Sequence, residues 1–413
     1  MKSIHEALEL MLPSFCPLPA QPVPLAEALG RVLAADAVAR FDLPEFDNSA
    51  MDGYALRAAD ATAVGCRLPV HGEARAGAPA PAPLPPGHAM RIFTGAPLPA
   101  GADSVVMQED TVRAADGSVQ LQALPRTGAH VRPQASDLRH GSVALRAGTA
   151  LGPGELGLLA SQDYGSVSVF RAPRVAILCT GDELRELGEP PRPGSLINSN
   201  AHALRAAVQQ CGAVPWVLPR APDVLADVLA SVRLGLQADV LLTVGGVSVG
   251  DYDLVGRALL DAGAQVAFHK VAMKPGKPLM FASAGGVPIV GLPGNPVSAL
   301  LGFEVFVRPA LRCMQGHAAL FPQPFTVELQ TRYEHKVGRT ELARASLAWE
   351  GERWVARLHA RQGSGSVPSM ACVDALLVLP ADREHFELGC RVQALRLGSG
   401  PYSADSPWAD AGA

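Results

Sequence analysis

The chain has 413 residues, of which 48% are hydrophobic, and its formal net charge is -4. This length exceeds what one hydrophobic core usually serves, so we expect several domains. The small negative charge argues against nucleic acid as the main partner, and no apolar run is long enough to span a bilayer.

Cysteine and histidine usage indicates a reducing compartment and no zinc centre. The seven cysteines are scattered without a CxxC pair, and an odd count of this kind fits reduced thiols in a cytosol. The eleven histidines show neither HxxxH nor HExxH spacing. Since the N-terminus also lacks a signal-like segment, these features predict a cytoplasmic protein without a membrane partner.

The first predicted element is an N-terminal helix. Ser3 and Glu6 form a capping-box pair ahead of apolar residues that share one helical face. Residues 25–39 continue as a second helical piece or as a helix running into a strand. Residues 141–171 predict a helix between short strands that packs back on this N-terminal part. We therefore predict a discontinuous first domain of residues 1–40 and 141–171.

The intervening residues 41–140 predict a β-rich domain inserted into the first. Short apolar runs alternate here with Gly, Pro and Asp turns. Asp52 in SAMDGYA lies in a cluster of residue types that favour turns, and Thr94 in TGAP could be a turn residue or a helix cap. Arg132 and Asp137 could form an exposed ion pair of little energetic weight.

Strands and helices alternate in residues 172–320, which predicts a βαβ series with a parallel sheet. The strands RVAILCT, ADVLLTV and VPIVGL each end in a loop rich in Gly or Pro. Parallel strands place such loops on one common edge of the sheet. Asp182 and Glu183 follow the first strand, and alternatively they would be the first-turn carboxylates of a helix.

Several residues of these loops are typical of an anion site. Lys270, Lys274 and Lys277 lie between the second and third loops, and lysines favour phosphate or an oxyanion. Asn295 can cap a helix with Pro296 in its first turn, which leaves backbone N–H groups to face an anion. In any single loop, solvated lysines and ordinary glycine turns would explain the same pattern. Three loops together favour an anion site.

A carboxylate among these loops predicts magnesium. Asp253, placed about 4 Å from a bound phosphate at an effective dielectric of about 20, would meet roughly 4 kcal/mol of repulsion. A divalent cation between the two groups removes the repulsion, and oxygen-only ligands suit Mg²⁺. The chain lacks the GxxxxGK[ST] motif, so a P-loop nucleotide site is excluded on motif grounds.

Residues 321–400 predict a C-terminal β domain. The segment ASLAWEGERWVARLHA reads as a hairpin across Glu350-Gly351, and QGSGSVPSM reads as a flexible loop. The small and polar residues 401–413 predict a disordered tail.

Six motifs taken in chain order carry a resemblance to a known family. They are SAMDGYA, RIFTGAPLPAGADSVV, TGDEL, GGVSVGDYD, KPGKP and GLPGNPVSA. In this combination the chain resembles the molybdopterin molybdenumtransferase family, which includes MoeA and the E domain of gephyrin. The resemblance covers nearly the whole chain.

The resemblance implies a multidomain α/β plus β fold and an elongated homodimer. Its parts are a discontinuous first domain that mediates dimerisation, an inserted β-rich domain, an α/β parallel-sheet molybdopterin-binding domain and a C-terminal β-barrel-like domain. The implied reaction is Mg²⁺-dependent insertion of molybdenum from molybdate into adenylylated molybdopterin, with release of AMP. The implied cleft lies between the α/β domain of one subunit and the β-rich domain of the other.

The resemblance also implies site residues, position by position. Catalytic roles fall to Asp52, Thr94, Lys270 and Lys274, and metal-binding roles fall to Glu183 and Asp253. Substrate-binding roles fall to Arg132, Asp137, Gly245, Gly246, Ser248, Lys277, Pro293, Asn295, Pro296, Arg344 and Ser364. Possible protein partners are a molybdopterin adenylyltransferase and the enzymes that accept the cofactor.

The chain departs from the family pattern at two places, and two other functions stay open. The family often has a carboxylate directly after the strand VPWVL, whereas here the nearest one is Asp223. Near the C-terminus, Val373-Asp374 replaces the Ala-Asn of the family.

A related α/β domain with a GGVS loop occurs in molybdopterin adenylyltransferases, which use ATP. The resemblance to gephyrin also allows a pterin-binding scaffold.

Overall fold

The structure is a computed structural model that describes residues 1–79, 81–246, 254–397 and 401–408. The chain divides into two compact units. The large unit comprises Met1–Ala34, Gly148–Gly152 and Ser168–Ala413, and the small unit comprises Ala35–Ala147 and Pro153–Val167. The domain boundaries given above stay predictions. None of the described helices has the length and apolar character needed to cross a bilayer.

A six-stranded sheet lies at the centre of the large unit. Its spatial order is Val214–Val217, Arg174–Cys179, Val240–Val244, Val287–Leu292, Met280–Ala284 and Gln265–Phe268. The first four strands are parallel, which confirms the predicted βαβ series. Met280–Ala284 runs antiparallel to both of its neighbours, because a tight turn at Gly285-Gly286 joins it to the next strand. The sheet is therefore mixed at this edge, since one antiparallel strand joins the predicted parallel ones.

Helices cover both faces of the central sheet. Alternate residues of its strands point to opposite faces, so Ile177 belongs to one buried cluster and Leu178 to the other. The helices of the large unit lie at Ile4–Met11, Ser199–Gln210, Leu225–Gly235, Leu254–Asp261, Pro296–Gly302, Arg308–Met314 and Pro368–Ala371. Leu225–Gly235 and Leu254–Asp261 pack on the Leu178 face, whereas Ile4–Met11 and Ser199–Gln210 pack on the Ile177 face.

The helix predicted after VPIVGL is confirmed, with one irregularity. A π-helical segment, Phe303–Val307, joins Pro296–Gly302 to Arg308–Met314. Pro309 cannot donate the backbone hydrogen bond that a regular helix requires, and the wider π-helical turn lies directly before it.

A closed five-stranded barrel forms the C-terminal part of the large unit, which confirms the predicted barrel-like domain. Its strands are Phe325–Leu329, Thr340–Glu350, Arg353–Leu358, Ala375–Leu379 and Arg391–Arg396. Thr340–Glu350 pairs with both Arg353–Leu358 and Ala375–Leu379, and this closes the barrel. The predicted hairpin is confirmed, since Glu350 lies opposite Arg353.

Short strands complete the large unit. They lie at Ala20–Pro24, Ser166–Phe170, Leu184–Arg185, Leu196–Ile197, Met273–Lys274, Phe321–Pro322, Tyr333–Glu334, His385–Phe386 and Tyr402–Ser403. The N-terminal capping box is confirmed, because the Ser3 and Glu6 side chains each accept a bond from the other residue's backbone N–H. In residues 25–39 only Leu25–Glu27 is helical, as a single 3₁₀ turn, and Ala37–Val38 is a strand.

The prediction of a disordered tail is wrong for residues 401–408. Tyr402–Ser403 pairs with Phe321–Pro322, and Trp408 is 2% exposed within the main hydrophobic cluster. The Arg312 guanidinium lies 3.6 Å from the centre of the Tyr402 ring. Aromatic burial therefore orders a segment whose small and polar residues suggested disorder.

The small unit is β-rich, as predicted. Its main sheet has the order Val70–Ala74, Ala89–Ile92, Gly53–Leu56 and Ser104–Met107, and a second sheet has the order Arg67–Leu68, Val119–Leu121 and Thr111–Arg113. Two further ladders pair Asn48–Ser49 with Val131–Arg132 and Ala37–Val38 with Val143–Leu145. The helix predicted within residues 141–171 is confirmed at Pro153–Ser161, and 3₁₀ turns lie at Ala58–Asp60 and Gln108–Asp110.

Candidate functional site

Three loops meet at the carboxyl edge of the central sheet, as the sequence predicted. The parallel strands Arg174–Cys179, Val240–Val244 and Val287–Leu292 are adjacent in the sheet and end at this edge. Residues 180–183, 245–246 and 293–295 follow them. Asp182 and Glu183 lie in the turn before Leu184–Arg185, so the alternative that they begin a helix was wrong.

The backbones of these loops approach one another closely, which explains their glycines. A Cβ on Gly245 would lie 3.4 Å from the Thr180 carbonyl oxygen, and one on Gly294 would lie 3.7 Å from the Gly245 Cα. Gly245 also has φ +86°, a conformation that residues with a side chain rarely adopt. The glycines therefore let the loop backbones pack against one another at their meeting point, where the Gly245 N–H donates to the Leu292 carbonyl at 3.1 Å.

A cleft of about 700 Å³ opens over these loops. Six predicted site residues line it, namely Glu183, Gly245, Gly246, Pro293, Asn295 and Pro296. Its other lining residues are Leu184, Leu196, Ile197, Asn198, Ser199, Asn200, Pro278, Gly294, Gly365 and Val367. A volume of this size accommodates a small organic ligand, and the carboxyl edge of an α/β sheet is the usual place for one.

The helix that begins at Pro296 offers fewer free N–H groups than predicted. Asn295 occupies the N-cap position, but its side-chain amide donates to the Ser364 hydroxyl at 3.1 Å and makes no capping bond. The Val297 N–H donates to the Ser364 carbonyl at 3.0 Å, and Pro296 has no N–H to offer. The C-terminal domain thus occupies part of the position predicted for an anion.

Arg344 supports the loop that carries Ser364. Its side chain is fully buried, and Nη2 donates to the carbonyls of Arg361 at 3.2 Å and Gly363 at 3.3 Å. Gln362 adds two bonds to the Arg344 backbone. Nε and Nη1 of Arg344 have no hydrogen-bond partner, and burial lowers the pKa of this guanidinium. Arg344 and Ser364 are therefore brought together through one loop, which contributes Gly365 to the cleft.

The three predicted lysines do not line the cleft within the described part of the chain. Lys270 and Lys277 are exposed, and only Pro278 of their segment reaches the lining. Lys274 is half-buried, and its ammonium donates to the Glu341 carboxylate at 3.0 Å. None of the described residues that line this cleft is a lysine, and the assignment of the three lysines to a ligand stays a prediction.

Asp52 and Thr94 meet in the small unit. The Asp52 Oδ1 accepts bonds from the Thr94 N–H at 2.8 Å and the Thr94 hydroxyl at 2.7 Å. These bonds, the backbone one first, lower the pKa of the Asp52 carboxyl. The sequence analysis named the two residues separately, and in the structure they form a hydrogen-bonded pair.

Arg132 and Asp137 are exposed, and no ion pair between them exists among the described contacts. Arg132 pairs through its backbone with Asn48, four residues before Asp52. The Asp137 N–H donates to the Leu43 carbonyl at 2.9 Å. The expectation of an exposed ion pair was therefore wrong.

The predicted metal ligands can be tested only in part. Asp253 and Ser248 lie outside the described residues, and those that are described include no group of three or more His, Cys, Asp or Glu placed to hold a metal. Glu183 is exposed at the cleft, and its carboxylate folds over Gly181 so closely that a Cβ there would overlap it. Asn200 adds a buried side-chain oxygen without a partner. Oxygen donors of this kind fit Mg²⁺.

Sequence reasoning missed the segment 198–200, which lines the cleft. The Asn198 side chain caps the helix Ser199–Gln210 by accepting from the Ala201 N–H, and the Asn200 amide donates to the Gly294 carbonyl at 2.7 Å. The repeated Asn in INSN before an apolar helical pattern was the available signal. Asp223 exchanges backbone-to-carboxylate bonds with Asp182, which brings it to the same edge of the sheet.

Comparison with known proteins gives matches along almost the whole chain. Residues 2–162 match the family model described as MoeA N-terminal region (domain I and II), residues 176–313 match the one described as probable molybdopterin binding domain, and residues 326–397 match the one described as MoeA C-terminal region (domain IV).

Relatives and solved structures agree with these matches. The molybdopterin molybdenumtransferase of Nostoc sp. is 38% identical over 91% of this chain and 88% of its own, and that of Bacillus subtilis is 35% identical over 94% and 91%. A crystal structure of a molybdopterin biosynthesis MoeA protein from Pyrococcus horikoshii superposes with a TM-score of 0.82 at 30% identity, covering 96% of this chain and 100% of that one.

Proposed function

Because this chain belongs to the molybdopterin molybdenumtransferase family, we propose that it inserts molybdenum from molybdate into adenylylated molybdopterin and releases AMP. The family is one of enzymes. We further propose that the protein acts in the cytoplasm, accepts its substrate from a molybdopterin adenylyltransferase and passes its product to the enzymes that use the cofactor.

The cleft at the carboxyl edge of the central sheet carries this proposal. It combines a volume suited to a pterin with residues from all three loops in its lining. Gly245 and Gly246 let phosphate or pterin atoms approach the backbone without meeting a Cβ. The Ser364 loop closes one side of the cleft through its bonds to Asn295 and Val297.

The charged residues would act by position and electrostatics. We propose that Lys270, Lys274 and Lys277 bind the oxygens of molybdate or of the phosphoanhydride, and that Arg132 and Asp137 contact the substrate. Glu183 and Asp253 would hold Mg²⁺, which when bound screens the negative charge of phosphate and carboxylate. The contribution of the protein to catalysis would be to position these charged side chains and to hold them there.

A second copy of the chain would complete the site. We propose a homodimer in which Asp52 and Thr94 of one copy contact substrate bound to the other. The pair is preorganised in the small unit, since two hydrogen bonds fix the Asp52 carboxylate before any ligand arrives. A half-buried, ionised carboxylate of this kind can orient a metal ion or accept a bond from a ligand.

One assay tests the proposal. Purified protein is incubated with adenylylated molybdopterin, Mg²⁺ and molybdate, and both AMP release and reconstitution of a cofactor-free molybdoenzyme are measured. We expect both signals, and we expect Lys274→Ala to lower both by roughly a hundredfold, to a level that is still measurable, while its circular dichroism spectrum is unchanged. Lys336→Ala, which removes an exposed lysine of the barrel, is the matched control and should keep full activity.

Two outcomes would overturn the proposal. Formation of the adenylylated pterin from ATP and molybdopterin would identify an adenylyltransferase instead. Tight pterin binding without release of AMP would identify a binding scaffold. Full activity of Lys274→Ala would remove that residue from the site.

A further inference from the structure

Glu341 is a buried carboxylate that directly contacts Lys274. The Glu341 residue is 2% exposed, and its Oε2 accepts from the Lys274 ammonium at 3.0 Å. Its Oε1 accepts from the Tyr333 hydroxyl at 2.9 Å. Burial, and then the nearby Glu341 charge, raise the pKa of Tyr333, so this hydroxyl remains a donor. Glu341 belongs to none of the six sequence motifs and lies in the barrel strand Thr340–Glu350.

Among the described contacts, Lys274 is the cation that hydrogen-bonds to Glu341. The His335 Nε2 donates to the Arg383 carbonyl at 2.7 Å, because a carbonyl oxygen can only accept. The His335 Nδ1 lies 3.4 Å from the Glu341 Oε2 but makes no hydrogen bond. Arg344 is near enough to interact electrostatically with Glu341, but among the described contacts no hydrogen bond joins the two side chains.

A buried carboxylate constrains its partner more strongly than an exposed one. Removing one member of a buried ion pair leaves the other charge desolvated and unpaired, which is costly. The Lys274 side chain is 36% exposed, so it is partly open to solvent while its ammonium is bonded to Glu341. The lysine is therefore restricted to a small part of the volume that its flexible chain could otherwise reach.

The backbone around Lys274 is fixed from two sides. Lys274 pairs with Glu341 in a parallel ladder, and the Thr340 N–H donates to the Ala272 carbonyl at 3.0 Å. On the other side the Lys2 N–H donates to the Lys270 carbonyl at 3.2 Å, and the Lys2 carbonyl accepts from Ala272 at 2.7 Å. Side chain and backbone thus both hold Lys274 in one place.

We propose that Glu341 is a positioning residue, which acts on the reaction through the ammonium of Lys274. This inference rests on the proposed function, in which Lys274 binds an oxyanion of the substrate. Glu341 would contact no substrate atom. It would direct the Lys274 ammonium and hold it there between turnovers, so that substrate binding does not have to order a mobile lysine.

A double-mutant cycle tests whether Glu341 acts through Lys274. The variants are Glu341→Gln, Lys274→Ala and their combination, and kcat and KM for molybdate are measured for each. Glu341→Gln keeps the shape of the side chain, and we expect roughly a tenfold loss of kcat/KM. In the Lys274→Ala background the same change should have no further effect.

The double-mutant cycle needs a matched control and a second variant at position 341. Glu328→Gln removes the carboxylate of another ion pair of the barrel, to Arg353 at 2.8 Å, and should leave kcat/KM unchanged. If Glu341→Gln fails to fold, Glu341→Asp retracts the carboxylate while keeping its charge and enters the same cycle. An equal loss from the Glu341 variant in both backgrounds, or no loss in either, overturns the proposal.

A labelling experiment separates this inference from the proposed function. The full-length protein is treated with an amine-acylating reagent, and modification of each lysine is followed by mass spectrometry. Glu341→Gln should increase the rate at Lys274 by about three- to tenfold relative to Lys336, because the ammonium loses its buried partner. An unchanged rate shows that Glu341 does not restrain Lys274, even if the enzyme proves to catalyse another reaction.

Discussion

The Asp52 carboxylate accepts two hydrogen bonds from Thr94, one from the backbone N–H and one from the hydroxyl, although the two residues lie 42 positions apart. The bond from the hydroxyl depends on the side chain at position 94, whereas the bond from the N–H does not. This difference allows the two contributions to be separated by substitution.

We expect Thr94→Ser to retain activity and Thr94→Val to lose roughly tenfold in kcat/KM. Serine keeps the donor to Asp52, whereas valine has a similar shape but no hydroxyl. Asp52→Asn should lose at least as much as Thr94→Val. Steady-state kinetics with adenylylated molybdopterin and molybdate measures all three, and equal activity of the serine and valine variants would contradict the role of the hydroxyl.

The buried tail residue Trp408 should contribute strongly to stability. Trp408→Ala leaves a cavity in the main hydrophobic cluster, and we expect the free energy of unfolding to fall by about 3–5 kcal/mol. Trp349→Ala is the control, since Trp349 is 60% exposed and its removal should change stability far less. Urea unfolding followed by far-ultraviolet circular dichroism measures both, and similar midpoints for the two variants would show that the tail does not pack.

Gly53, directly after Asp52, should not tolerate a side chain. A Cβ at this position would overlap the Val106 carbonyl oxygen of the neighbouring strand. We expect Gly53→Ala to lower the free energy of unfolding by about 2 kcal/mol or more, because the two strands must separate. Gly157→Ala provides the contrast, since open space surrounds this helical glycine and alanine should be neutral or stabilising. In thermal unfolding, the melting temperature should fall for Gly53→Ala and should stay the same or rise for Gly157→Ala.

Asp239 should make stability depend on pH in the acid range. Burial alone would raise its pKa, but two bonds from Arg171 and one from the Arg174 N–H outweigh burial, so the pKa of Asp239 is lowered. A carboxyl whose pKa is lowered on folding stabilises the protein above its unfolded pKa, which is about 3.9, and this contribution disappears as the pH falls through the folded value.

We therefore expect Asp239→Asn to cost about 1–2 kcal/mol at about pH 7, after allowance for screening of the partly exposed Arg171, and less at about pH 3, below the unfolded pKa. Urea unfolding at both pH values measures the difference. Asp382→Asn, which changes an exposed carboxylate, should change stability little at either pH. An equal cost of Asp239→Asn at both pH values would show that its charge is not what stabilises the fold.

The sequence was most informative where function depends on loops that follow strands. Glu183, Gly245 and Asn295 were placed on one edge because apolar runs identified parallel strands, and the connection rules for such strands then fixed where their loops end. The same reasoning does not describe the surroundings of Lys274, because the segment that carries it pairs with a barrel strand rather than with the sheet.

Residues whose main contacts lie far away in the sequence could not be identified from the residues next to them. Glu341 lies 67 positions from Lys274, and a glutamate in a strand pattern indicates an exposed side chain rather than a buried partner. Trp408 was missed because the composition around it is that of a flexible tail. In both cases tertiary contacts decide the outcome, and periodicity within a short segment does not contain them.

The contacts of Lys274 have a consequence for biosynthesis on the ribosome. Its segment is bonded to Lys2, which is made first, and to Thr340 and Glu341, which emerge only after the central sheet has been translated. A nascent chain that stops before the barrel therefore contains the three loops that follow the sheet strands, but it lacks both the Ser364 loop of the cleft and the carboxylate that restrains this lysine. Translation of the last domain, rather than completion of the sheet, is the step that completes the cleft and the contacts of Lys274.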